Sequence, residues 1–144
     1  MFEKPSLILR ITIGKTVGFA FGLLGFFLAP MFWPEIEPTL RWAILLWYAT
    51  FGAVIAVFGV FTYHPVLHLP MPWWFRSCWV GGWLNLVLML FIYDKLEIMM
   101  AGFFGESSAF NTPWMIVLEG MLVGLLIGFL ATKYGGEGKE TVGR

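Results

Sequence analysis

Four stretches of this chain, at positions 11–31, 42–63, 77–93 and 114–134, are almost unbroken runs of apolar residues. Each is close to the roughly 20 residues that carry a helix across a hydrocarbon core about 30 Å thick. Composition agrees: of 144 residues, 59% are hydrophobic and 12% charged, with a mean hydropathy of +0.80, more apolar than a soluble domain of this size carries. The sequence therefore predicts an all-α polytopic membrane protein. The expected architecture is a four-transmembrane-helix bundle with short loops over residues 1–134, followed by a short polar tail, 135–144.

Prolines punctuate the first two connections, Pro30, Pro34 and Pro38 in one and Pro65, Pro70 and Pro72 in the other, where a helix should stop. The third run is less clearly bounded, because IMMAGFF continues past Asp94, Lys95 and Glu97 before polar GESS begins. That run either ends near Tyr93 or continues to about Phe104, beyond the bilayer or bent along its surface. Lys4 and Arg10 ahead of the first run suggest a cleaved leader, but no A-x-A-like site follows and Pro30 comes just after Ala29. The first run is expected to stay as an anchor.

Lysine and arginine near the span ends set orientation. Lys4, Arg10, Lys15, Arg76, Lys133, Lys139 and Arg144 fall on one side, against Arg41 and Lys95 on the other. Both termini are thus expected in the cytoplasm, with a bacterial inner membrane as the location. Trp33, Trp42 and Trp114 mark the outer interface and Trp73 and Trp74 the inner one, where an indole buries its ring and keeps its N–H wet. Nine basic residues balance nine acidic ones without a basic patch, which argues against nucleic acid as a partner. The one cysteine, Cys78, leaves the redox compartment undecided.

Inside the spans the strongest pattern is glycine. Gly14, Gly18 and Gly22 repeat every four residues in the first, as do Gly120, Gly124 and Gly128 in the fourth. Such a glycine zipper lines one helix face and lets another backbone settle on it. Gly52 with Ala56, and Ser77 with Gly81 and Asn85, share that spacing. These faces either pack the helices of one chain or pair with a second copy or another subunit.

Glu119 stands about 7–8 Å along its helix from Trp114, below the interface and short of the midplane. A carboxylate at that depth is costly unless it is protonated, paired or open to water, so it is the leading site residue. The expected alternatives are an ion pair with Lys95 or Arg41, a proton or cation site, and a contact with a partner subunit. Asn85, mid-span, is expected to form an interhelical hydrogen bond, and Lys15 to snorkel to the interface.

His64 and His68 are four apart and would share a metal on a helix, but Pro65 and Pro70 point to an irregular turn, so they are weak metal candidates. No HExxH, GxSxG or phosphate loop is present, and no enzyme activity or cofactor is expected. A shift of 72 residues aligns Trp42 with Trp114, Gly52 with Gly124 and Ile55 with Ile127, yet the first and third spans do not match at that offset, which favours chance similarity between apolar helices. The tail, GGEGKETVGR, is expected to be loose or held by a partner.

Two function classes follow. One is a non-catalytic membrane subunit or scaffold that assembles through its glycine faces, as a homo-oligomer or within a larger membrane complex. The other is a homo-oligomeric channel or transporter for a cation or proton, with Glu119 as its site.

Overall fold

Local signals place the helix ends. Ser6 precedes the first apolar run and its Oγ accepts a hydrogen bond from the Leu9 N–H at 3.2 Å, an N-cap that starts α1, Leu7–Phe32. Pro38 occupies the first turn of α2, Pro38–Phe58, where its missing N–H costs nothing. Then come α3, Trp73–Phe91, α4, Tyr93–Phe104, and α5, Met115–Gly135, which ends at Gly136 with φ of 74°. A 3-10 turn at Lys139–Thr141 closes the chain in this computed structural model, which describes residues 5–143. Lys4 and Arg144, both part of the charge asymmetry, lie outside the described residues.

The protein is all-helical, and α1, α2 and α5 are long and apolar enough to cross a membrane. The third run begins earlier than its apolar stretch and contains buried Arg76, Ser77 and Asn85, which makes α3 the most polar of the four long helices. It ends where Ile92 leaves helical geometry, with φ of −125° and ψ of 34°, and the residues after it form a separate 12-residue helix. Gly102 of α4 lies against the Phe32 carbonyl, so α4 is held over the end of α1.

Pro30 lies inside α1 rather than ending it. Proline leaves the carbonyl four residues earlier without a helical donor, and here Arg41 Nε supplies one to Phe26 at 2.9 Å. The Arg41 guanidinium also sits 4.2 Å above the Phe26 ring centroid. Arg41 thereby repairs the proline position.

The helices associate in two close pairs, α1 with α2 and α3 with α5. A Cβ at Gly14 would run into the Gly52 carbonyl, one at Gly18 into the Tyr48 carbonyl, and one at Gly22 into Leu45 backbone. In the second pair, a Cβ at Gly120 would meet the Gly81 carbonyl, one at Gly124 the Ser77 carbonyl, and one at Gly128 the Ser77 hydroxyl. All six glycines are buried. Small residues admit this approach, and in lipid close van der Waals contact is a main source of helix association.

The two crossings correspond residue by residue. Gly14 contacts Gly52 and Ala56 as Ser77 contacts Gly124 and Gly128, and Gly18 contacts Tyr48 and Gly52 as Gly81 contacts Gly120 and Gly124. The offset is 63 residues from α1 to α3 but 72 from α2 to α5. The two hairpins therefore cross in the same register. The connection of the second hairpin is longer and carries α4. Tyr48, Phe51 and Ile55 of α2, Val80 of α3, and Val123 and Ile127 of α5 form the core between the pairs.

One end of the bundle is tied by buried arginines. Arg10, 1% exposed, donates from Nε to the Ala56 carbonyl at 2.9 Å, and from Nη1 to Thr132 Oγ1 at 3.1 Å and to the Gly136 carbonyl. Those carbonyls belong to the C-terminal ends of α2 and α5, where a cation also meets the negative end of the helix dipole. Arg76 donates to the Phe61 and Met71 carbonyls and pairs with Glu137 at 2.8 Å. The Gly138 N–H reaches the Gly59 carbonyl at 2.8 Å, and Thr141 is fully buried. The tail, expected to be loose or partner-held, is fastened by the chain's own helix ends.

Candidate functional site

Tyr48 of α2, Asn85 of α3 and Glu119 of α5 meet between the two helix pairs. On an α-helix Cα–Cβ bonds tilt toward the N-terminus, and α2 and α5 run in the same direction. The Tyr48 ring thus leans back along α2 to the level of Glu119, near the start of α5. Its hydroxyl donates to Glu119 Oε1. Asn85 is fully buried: its Nδ2 donates to the Ile116 carbonyl at 2.9 Å, its Oδ1 accepts from Trp47 Nε1 at 3.0 Å, and its Nδ2 lies 3.5 Å from Tyr48 Oη. These contacts fix the amide orientation and tie α2, α3 and α5 together.

The hairpin correspondence breaks down here. At the offsets that superpose the crossings, Asn85 falls where the first hairpin has Gly22, and Glu119 where it has Trp47. The first hairpin thus has no polar groups like Asn85 and Glu119 at the matching positions.

The expected ion pair of Glu119 with Lys95 or Arg41 does not form. Lys95 Nζ lies 3.8 Å from Glu37 Oε1, both well exposed, and Arg41 is engaged with Phe26. Both cations stand at helix ends, whereas Glu119 is a full turn inside α5, so neither reaches it. Glu119 Oε2 has no partner among the described residues, and it is not enclosed by protein. It opens on a cavity of about 700 Å³ between α1, α2, α4 and α5. Leucine, isoleucine, phenylalanine and methionine dominate the walls, and Glu119 is the one charged side chain among them.

The remaining sequence candidates lie apart from this site. Lys15 is exposed on α1. His64 accepts on Nδ1 from the Val66 and Leu67 N–H groups at 3.2 and 3.0 Å, and its backbone N–H donates to the Leu69 carbonyl at 2.8 Å. His68, with φ of 54°, completes that turn. Among the described residues no three His, Cys, Asp or Glu side chains gather as a metal site.

Tyr48 and Trp47 were not legible as site residues. A tyrosine six residues into an apolar span is the available signal, since its hydroxyl needs a partner away from water. Tyr48→Phe removes the one donor to Glu119 while keeping the ring. The expected loss is about 1–2 kcal/mol, larger than for a neutral hydrogen bond because the acceptor is left without its only donor. Thermal unfolding in detergent would check this, and an unchanged midpoint would mean that the bond contributes nothing.

No protein-family model, no curated protein and no solved structure matches this chain.

Proposed function

We propose that this protein is a small, non-catalytic integral membrane subunit or scaffold in a bacterial inner membrane. In this reading α3 is a fourth crossing, because it lies against α5 along the whole Ser77 to Asn85 face. Both termini are cytoplasmic, as the Lys and Arg asymmetry requires.

The observation that carries the subunit reading is an aromatic ladder on the outer face of α3. Phe75, Trp79 and Trp83 stack in sequence, with ring centroids 6.3 and 6.4 Å apart. Trp79 and Trp83 are 62% and 56% exposed. Trp83 lies about 15 Å along α3, near the middle of a 30 Å core. Tryptophan favours the interfaces, where its N–H meets water. Neither of these two indoles has an acceptor within the described chain, whereas Trp47 has Asn85. Lipid tails provide no acceptor at that depth, and a neighbouring helix with a polar group does.

The glycine faces are occupied inside the chain, so assembly is assigned to this aromatic face. Replacing Trp79 and Trp83 together by leucine keeps the surface apolar and removes both N–H groups. The double variant is expected to leave its complex on native gels of solubilised source membranes while keeping the wild-type melting midpoint. Unchanged migration would remove the ladder from assembly.

A second reading is a homo-oligomeric channel or transporter for a cation or proton. It is favoured by the open Oε2 of Glu119, and it requires several copies because one chain of this size leaves little room for a pore.

A further inference from the structure

We propose that the cavity between α1, α2, α4 and α5 binds a single-chain, membrane-soluble amphiphile with a hydrocarbon body and one protonated amine head, seated on the open oxygen of Glu119. This inference does not rest on the assembly reading.

Three features select the ligand. Volume comes first: about 700 Å³ falls within the roughly 300–1,000 Å³ typical of small-molecule pockets. The second is the lining, apolar except at one wall, where Tyr48 and Glu119 stand together. Met99, Met100 and Met115 are among the lining residues, and unbranched thioethers adapt to varied hydrocarbon shapes. The third is charge. A carboxylate in hydrocarbon calls for a counter-charge, and Arg41 and Lys95, the two cations that the sequence places on its side of the bundle, are engaged elsewhere. The Tyr48 hydroxyl orients Oε1 and leaves Oε2 for an N⁺–H donor, giving a charge-assisted hydrogen bond.

An aminophospholipid is a poorer fit. Its phosphate would have to follow the amine about 7–8 Å below the helix end, bringing a second negative charge toward Glu119. A single-chain amine carries no such group.

The test uses photolabelling in membrane vesicles that contain the full chain. Three probes share one diazirine-bearing 16-carbon chain and differ only in an amine, alcohol or carboxylic acid head. The amine should label cavity peptides, Leu24 to Phe32 of α1 and Met99 to Phe104 of α4, about tenfold more than the alcohol, the margin of one charge-assisted hydrogen bond over a neutral one. The acid should label them least. Glu119→Gln should bring the amine-to-alcohol ratio close to one, and Glu119→Asp should retain the preference. Leu28→Trp, which places an indole in the cavity, should lower labelling by both.

If Glu119→Gln does not fold, competition on the wild-type chain serves instead: unlabelled hexadecylamine should displace the amine probe, and hexadecanol should not. Equal labelling by amine and alcohol, or labelling spread evenly over all lipid-facing helices, would overturn the proposal. Preferential cavity labelling by a photoreactive aminophospholipid over its choline counterpart would also overturn it, by identifying the occupant as bilayer lipid. The variant lacking Trp79 and Trp83 indoles should label like wild type, which separates this site from the assembly surface.

Discussion

Gly52→Leu is expected to separate α1 from α2 and to cost about 3 kcal/mol, the upper range for overpacking a close contact. A Cβ at Gly52 would run into the Gly14 carbonyl and crowd the Gly18 Cα, so the obstacle is backbone, which cannot rotate away as a side chain does. Gly52→Ala should fall between the two, because the first added carbon already meets the obstacle. A lipid-facing control, Leu46→Ala, at a position 59% exposed, should stay within about 0.5 kcal/mol. Unfolding in detergent, followed by circular dichroism, ranks the three. If Gly52→Leu melts with wild type, the α1–α2 crossing is not as close as described.

Arg10→Met is the second large effect. Methionine retains most of the aliphatic length but leaves the Ala56 and Gly136 carbonyls and the Thr132 hydroxyl without their donor in a buried site. Hydrogen bonds from a charged donor contribute about 1.5–3 kcal/mol each, and stranded acceptors add to the loss, so a total of about 3 kcal/mol or more is expected. The tail should loosen at the same time, because Gly136 is one of its anchors. Limited proteolysis from the tail end should then cut near Gly138 faster than in wild type. Arg10→Lys should rescue only part of the stability, since an ammonium lacks the planar fork that reaches three acceptors together. Full rescue by lysine would show that charge at the helix ends matters and the fork does not.

These two sites show what could and could not be read along the chain. The glycine rows were visible because an i, i+4 spacing defines a helix face regardless of context. Which helix fills each row was not, because a face without side chains carries no mark of its partner. The shared register of the two crossings was not visible either, because the offset is 63 residues from α1 to α3 but 72 from α2 to α5. Glu119 stood out because a lone carboxylate in an apolar run is expensive anywhere, but Tyr48 is 71 residues away and nothing local connects them. Arg10 and Arg76 look from the sequence like ordinary interfacial cations. Their burial depends on carbonyls at the ends of other helices and on Glu137 in a tail whose composition alone gives no sign of being held, all of them contacts made only on folding. Pro30 reads as a stop because its effect on α1 alone is unfavourable, and the compensating donor, Arg41, belongs to the next helix.

The subunit reading makes the most direct claim about what this molecule is for, and native mass spectrometry of the chain, drawn gently from its own membrane, addresses it most simply. This chain is expected in fixed ratio with a different membrane protein, and that species should be lost when the Trp79 and Trp83 indoles are removed. Copies of this chain alone would contradict it and would turn attention to ion flux through a homo-oligomer bearing Glu119.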